Sequence, residues 1–410
     1  MKMLKMLFAA AAAVMMTLSA QAAKTAKAVL DDGGKTLRFV YDGEDYGTKG
    51  TDWFSIAEAE ALSPERSMPW EDAGTTVERV VFVRSFYGYK PTHCGGWFYN
   101  FTKLKQVCGI YNLNVSRATS LRFMFTNCRA LTELDLSRWD TAQVTDMYCM
   151  FYGCSKLKTI RARESFTTEA VTDGDYMFEG CTALVGGAGT TYTSSRMSSA
   201  YARIDSYIPG KGWKRGFFTQ GGVPVAVLSS DGKTLTFYYD NAEHGGSVYS
   251  LYDWNEYAFG EDGRPWGPSA IQVVFDESFA SFRPPDCSYW FSSFNNLKEI
   301  RGLTNLDTRD CMSFRSMFRF CSSLTELDLS GFDTSSVTDM TSMFYGCSGL
   351  TELDLSGFDT SSVTDMGSMF YGCSGLTELD LSGFDTSSVT DMNDMFLGCC
   401  GLTELDLSGF

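Results

Sequence analysis

Apolar residues recur along this chain with a period of 26, and the predicted elements follow from that period. The segment Leu324-Thr-Glu-Leu-Asp-Leu-Ser-Gly-Phe-Asp-Thr-Ser-Ser-Val-Thr-Asp-Met340 returns almost unchanged from Leu350 and Leu376 and begins again at Leu402. Each unit closes on Met-Phe-x-x-Cys: Met343-Phe344 with Cys347, Met369-Phe370 with Cys373, Met395-Phe396 with Cys399. Leu327 and Leu329 alternate with Glu326 and Asp328, a period of two that predicts a short strand with one apolar face. Ser330 and Gly331 break the strand, Phe332 returns an anchor to the interior, and residues 333–336 carry turn chemistry. Met340, Met343, Phe344 and Cys347 then fall at i, i+3, i+4 and i+7. That stripe predicts a short helix, capped by Thr338 or Asp339 and ending near Gly346.

The same grammar appears earlier in diverged form. Leu131-Thr-Glu-Leu-Asp-Leu-Ser-Arg-Trp-Asp-Thr leads to Met150-Phe151 and Cys154, and units from Leu104, Leu157 and Leu297 are 27 residues long. At a larger scale the halves are duplicates. Lys35-Thr-Leu-Arg-Phe-Val-Tyr-Asp42 matches Lys233-Thr-Leu-Thr-Phe-Tyr-Tyr-Asp240, and Val80-Val81-Phe82 matches Val273-Val274-Phe275. Alternation around Asp32-Gly33-Gly34 and Ser230-Asp231-Gly232 reads as hairpins. The expected layout is a leader peptide (1–22), a β-rich leader (23–96), a first repeat array (97–185), an end segment and linker (186–222), a second β-rich leader (223–289) and a second array (290–410). The fold class is an α/β repeat solenoid of leucine-rich-repeat type: one short parallel strand plus one short helix per repeat, in two tandem units. One unit cannot stand alone, because ordering its backbone costs more than its own apolar side chains return, and stacking must close the gap.

The N-terminus adds the compartment. Lys2 and Lys5 precede an apolar run over residues 6–18 and the small residues Ala20 and Ala22, the pattern of a secretory signal peptide cleaved after Ala22. No later segment has the length of a membrane span. The chain carries a net charge of −16, and residues 324–410 hold fifteen acidic residues with no Lys or Arg. So acidic a surface argues against nucleic acid and anionic lipid as partners. The thirteen cysteines mostly follow the repeat period, so they read as a column of buried thiols rather than a disulfide framework. The chain stops at Phe410, nine residues into a unit, so the native protein is expected to continue with further repeats and a cap.

Chemistry-bearing motifs are thin. The two histidines, His93 and His244, lie in different leaders, and only His93-Cys94 offers a nucleophile beside a base. The stretch from Gly210 to Phe218 mixes basic and aromatic residues and reads as an end piece of the first array. No cofactor, catalytic residue or metal site is expected. The outward strand residues are the candidate binding face: Thr325, Glu326 and Asp328, with Thr351, Glu352, Asp354 and Thr377, Glu378, Asp380 at the same positions. Stacked strands bring such residues about 4.8 Å apart. Columns of like charge at that spacing point either to an acidic recognition face, with weak Ca²⁺ as a candidate partner, or to a solvated face left by recent duplication.

The consensus Leu-x-x-Leu-x-Leu-Ser-x-Phe-Asp-Thr-Ser-x-Val-Thr-x-Met-x-x-Met-Phe-x-x-Cys resembles the BspA-like leucine-rich-repeat surface proteins, the DUF285 repeat family. The leaders resemble those of its Bacteroidales members, on residues 235–240, 273–279, 201–205 and 216–219. The resemblance implies an exported, cell-surface, adhesin-like protein that binds a protein or cell-surface glycoconjugate. The rival expectations are a surface coat or spacer without a specific ligand and, on weaker grounds, a glycan hydrolase.

Overall fold

A computed structural model describes residues 23–62, 68–208, 212–251, 266, 269–408 and 410, so the expected leader peptide lies outside the described residues. The chain falls into two compact units, Met1–Gln220 and Gly221–Phe410.

Unit 1 begins with a hairpin of β1 (Thr25–Asp31) and β2 (Thr36–Asp42). The hairpin closes through Gly33 and Gly34, whose φ of 57° and 84° suit residues without a Cβ. β3 (Trp53–Ser55) adds to β1 antiparallel, and Ser55 caps the short helix α1 (Ile56–Glu60). On the other side, β4 (Arg79–Phe82) joins β2 in parallel and β5 (Gln106–Cys108) joins β4 in parallel. The sheet thus changes from antiparallel to parallel at β2, where the hairpin hands over to the repeats. Phe39 in β2 is the anchor: its ring stacks at 4.6 Å on Phe82 and 5.3 Å on Trp97 and meets Trp70 edge-on at 5.8 Å.

The stack continues through β6 (Glu133–Asp135) and β7 (Thr159–Ala162), again parallel. After Leu184 the chain makes a hairpin of β8 (Ser206–Ile208) and β9 (Gly212–Lys214), then returns as β10 (Phe218–Gln220), parallel to β7. β10 takes the place of a next repeat strand, and its first residue, Phe218, is buried together with the preceding Phe217. One hydrophobic core runs from Ala26 to Phe218. The strands before Trp97 are therefore the first layer of the stack and the segment after Leu184 its last.

Unit 2 repeats the plan. β11 (Val223–Leu228), β12 (Thr234–Asp240) and β13 (Ser247–Ser250) are antiparallel, while β14 (Gln272–Phe275) and β15 (Glu299–Arg301) continue in parallel from β12. Phe237 takes the anchoring role, stacked 4.8 Å from Phe275 and 5.4 Å from Trp290. Farther along, β16 (Glu378–Asp380) pairs with β17 (Glu404–Asp406). The units from Leu324 and Leu350 were expected to contribute a strand each; their residues 325–329 and 351–355 carry no strand assignment.

The helix expected over residues 340–347 does not form, and this corrects the one-strand, one-helix plan. The amides of Met340, Ser342, Phe344 and Gly346 donate to the carbonyls of Asp365, Gly367, Met369 and Tyr371 in the next repeat, at 2.9, 2.9, 2.9 and 2.7 Å. Those of Met343, Tyr345 and Cys347 donate three residues back, to Met340, Ser342 and Phe344, at 3.2, 3.1 and 3.0 Å. A helix would send every amide four residues back. Here alternate amides are spent across the stack, and the chain is turned by left-handed residues at every fourth position: Ser342 at φ 55° and Gly346 at φ 71°. The same pair recurs as Ser368 and Gly372, Ser316 and Phe320, and Phe123 and Asn127. A period-four ladder of turns still places Met340, Met343, Phe344 and Cys347 inside, all fully buried. The spacing that suggested a helix is met by a different backbone.

Two side chains complete the ladder. Each repeat thiol donates to the carbonyl of the phenylalanine one repeat earlier: Cys347 to Phe318 at 3.0 Å, Cys373 to Phe344 at 3.1 Å, Cys154 to Phe125 at 3.0 Å. The Phe318 carbonyl also accepts the Cys321 amide at 3.0 Å, so both its lone pairs are engaged. Buried Thr334 both donates to the Asp359 carbonyl, at 2.9 Å, and accepts the Asp359 amide, at 2.7 Å; Thr308 and Thr360 do the same to Asp333 and Asp385.

Gly372→Ala separates the two backbones by sign. At φ +71° the added methyl meets only an ordinary contact, the Gly346 Cα at 3.7 Å, so the cost is conformational. Denaturant unfolding should show a loss of about 1–2 kcal/mol. A helix would gain up to about 1 kcal/mol from the same change.

Candidate functional site

The outward residues chosen from the sequence, Thr325, Glu326, Asp328, Thr351, Glu352, Asp354, Thr377, Glu378 and Asp380, are all exposed on unit 2. They do not play equal parts. Asp328, Asp354 and Asp380 accept the amides of Ser330, Ser356 and Ser382 at 3.0, 2.9 and 2.9 Å, closing an Asx turn at the same place in each repeat. Two further aspartates per repeat do the same: Asp333 accepts the Ser335 amide at 3.1 Å and Asp339 the Thr341 amide at 2.9 Å. Much of the acidic charge of this array is therefore turn chemistry.

Bonding to serine holds the strand-face aspartates below their ordinary carboxyl range: chiefly the Ser330 and Ser382 side chains for Asp328 and Asp380, and the Ser356 amide for Asp354. A depressed folded value means the turns stabilise fully above the unfolded carboxyl value, about 3.9, and lose that contribution as pH falls through the folded one.

The glutamates differ. Among the described residues the side chains of Glu326, Glu352 and Glu378 make no hydrogen bond or ion pair, although Glu378 lies in register with Glu404 across β16 and β17. In unit 1 the residue stacked on Glu133 is Thr159, and Arg161, in register with Asp135, donates diagonally to Glu133 at 3.1 Å. Weak Ca²⁺ was a candidate partner of the acidic columns. Among the described residues no three carboxyl, imidazole or thiol groups converge to hold a metal ion. The melting temperature should therefore be the same in Ca²⁺ and Mg²⁺ at matched ionic strength. A rise specific to Ca²⁺ would show that a site exists.

The nucleophile–base pair suggested by His93-Cys94 is not assembled. Cys94 is fully buried, and burial pushes its thiol well above the ordinary range, away from thiolate. His93, itself lowered by burial, accepts the Gly95 amide through Nδ1 at 3.5 Å. His244, in the other unit, stacks on Tyr238 at 4.0 Å and bonds Asp240 at 2.9 Å.

A second surface, on the turn ladder of unit 1, was not picked out from the sequence. Arg122 lies over the Tyr148 ring at 4.2 Å and reaches Asp173 at 3.1 Å and Asp146 at 3.5 Å. Nearby, Tyr152, Arg129, Glu179, Asn127 and Tyr192 surround an open concavity of about 460 Å³ whose floor includes Gly153 and Gly180. Part of the signal was available: Asn127, Arg129 and Glu179 depart from the repeat consensus, while Tyr152, Gly153, Gly180 and the inward set keep it.

The family described as "Mycoplasma protein of unknown function, DUF285" matches residues 91–198 and 286–408. No curated protein matches the sequence. Among solved structures, a leucine-rich repeat protein from Eubacterium ventriosum ATCC 27560 is 15% identical over 93% of this chain and 82% of its own, with a TM-score of 0.22. The TLR13–ssRNA13 complex is 13% identical over 85% of this chain and 52% of its own, with a TM-score of 0.18. At those scores neither overlay bears on the fold, which rests on the repeat geometry of the chain itself. Among the described residues no helix is long and apolar enough to cross a membrane.

Proposed function

Because the chain belongs to the DUF285 repeat family, we propose that it is an exported surface protein of the BspA-like leucine-rich-repeat kind, with leaders of Bacteroidales type, and that it works by binding rather than by catalysis. Its role is adhesin-like: the repeat face engages a protein or glycoconjugate on host, matrix or neighbouring cells. The observation that carries this reading is the exposed glutamate column. Inward residues, the turn aspartates and the buried threonines are committed to the stack, whereas the side chains of Glu326, Glu352 and Glu378 hold nothing together within the fold. A row of like charges with no folding role fits a basic partner surface, which it would steer and orient. Saturable binding to an immobilised matrix or host-cell protein, lost when the three glutamates are changed together to Gln, supports the reading. Its absence across such a panel favours the alternative, a coat or spacer. That second reading is favoured by the Asx turns, which account for the aspartate columns without any ligand. Turnover of a glycan substrate, abolished by a single carboxylate change, would instead revive the hydrolase.

A further inference from the structure

The concavity on unit 1 carries chemistry that the glutamate column does not. The residues at its left-handed turn position run Asn100, Asn127, Gly153, Gly180 along consecutive repeats, with φ of 61°, 60°, 74° and 79°. Asn127 donates to the Asn100 side-chain carbonyl at 2.8 Å, which begins an amide ladder. At Gly153 the ladder stops. A Cβ there would stand 2.4 Å from Asn127 Oδ1, so the missing side chain opens the groove and leaves that oxygen facing it. Among the described residues, Oδ1 meets only the Arg129 guanidinium within hydrogen-bonding geometry, at a long 3.5 Å. Tyr152 presents an exposed ring, and Tyr192, from the segment that ends the array, accepts the Gly180 amide at 3.3 Å and walls the far side.

We propose that this concavity binds a neutral sugar residue, the terminal hexose or N-acetylhexosamine of a glycan. Volume, lining and charge each point that way. About 460 Å³ is the size of a small-ligand site. Aromatic faces offer apolar walls to the C–H faces of a pyranose ring. Asn127, Arg129, Ser155 and Glu179 supply donors and acceptors for a ring of hydroxyl groups, and the guanidinium and carboxylate leave no net charge for an ionic ligand. A peptide strand fits less well, because the groove backbone is already engaged: the amides of Asn127 and Gly153 donate to Tyr152 and Glu179 carbonyls, both at 2.7 Å. The site does not rest on the adhesin reading, since it lies on a different unit and uses different residues.

The test is ligand-observed NMR of the full chain against glucose, galactose, mannose, N-acetylglucosamine and N-acetylgalactosamine, with a glycan array alongside. At least one neutral sugar should bind in the millimolar range. Gly153→Asn should weaken binding by tenfold or more by continuing the ladder into the groove, a change the backbone tolerates because Asn127 adopts the same conformation. Tyr152→Ala should do the same, with the melting temperature checking that each variant folds, while Tyr345→Ala in unit 2 leaves binding unchanged. No neutral sugar bound, binding confined to charged glycans, or binding that survives both folded variants overturns the proposal. The glutamate variant should retain sugar binding, so failure of one proposal is separable from failure of the other.

Discussion

Phe344→Ala is expected to destabilise unit 2 by about 3–5 kcal/mol, the cost of removing a buried aromatic ring from a packed core. Phe344 is fully buried and stacked between Phe318 at 5.9 Å and Phe370 at 5.7 Å. Its carbonyl is also the acceptor for the Cys373 thiol and the Cys347 amide, so movement of this residue reaches two repeats. In a stack each repeat is held by its neighbours, and a central loss weakens two interfaces at once. Phe396 supplies an internal comparison. It is half-buried, with one stacked phenylalanine, Phe370 at 5.8 Å, so Phe396→Ala should cost clearly less than Phe344→Ala. Calorimetry of the two variants decides the matter; equal costs would mean that the phenylalanine column does not couple neighbouring repeats.

The second large effect is expected at Asp205, in the segment that ends the first array. This carboxylate is buried and takes four hydrogen bonds: Oδ2 from the Ala188 and Thr190 amides at 3.1 and 2.8 Å, Oδ1 from the Thr190 hydroxyl at 2.7 Å and the Gly216 amide at 3.3 Å. Asp205→Ala strands those donors, and an unpaired buried donor costs about 1–3 kcal/mol. With some relaxation, a total of about 3–5 kcal/mol is expected, the range for breaking a buried charged network. Asp205→Asn should fall between, because one amide half would face donors with a donor. The closing strand β10 and the buried Phe217 and Phe218 should then open locally before unit 1 unfolds. Tryptic cleavage at the exposed Arg203 or Arg215 reads that opening. Unchanged cleavage and melting in Asp205→Ala would show that the apolar contacts alone hold the end shut.

The sequence by itself determined the register of the stack. Period, inward residues and the burial of the repeat thiols all follow from which positions are apolar, and Met340, Met343, Phe344 and Cys347 point inward whatever backbone carries them. It also held more than was read from it. Asp followed two residues later by Ser, as at Asp328 and Ser330, is an Asx-turn signal, and it explains an acidic column that looked like a recognition face. The concavity was legible in part, as outward departures from consensus at Asn127, Arg129 and Glu179, but nothing local says that these three surround one space with Tyr152 and with Tyr192, forty residues beyond it.

Tertiary structure alone decided the backbone of the methionine–phenylalanine segment. A stripe at i, i+3, i+4 and i+7 fits a helix and a period-four turn ladder equally well, and the choice depends on where the amides find acceptors. In an isolated repeat only the chain's own carbonyls are available. In the stack the next repeat presents Asp365, Gly367, Met369 and Tyr371 to Met340, Ser342, Phe344 and Gly346. Those cross-repeat bonds offset the left-handed strain at Ser342 and its equivalents, a cost of about 1–2 kcal/mol each that a single repeat has nothing to set against.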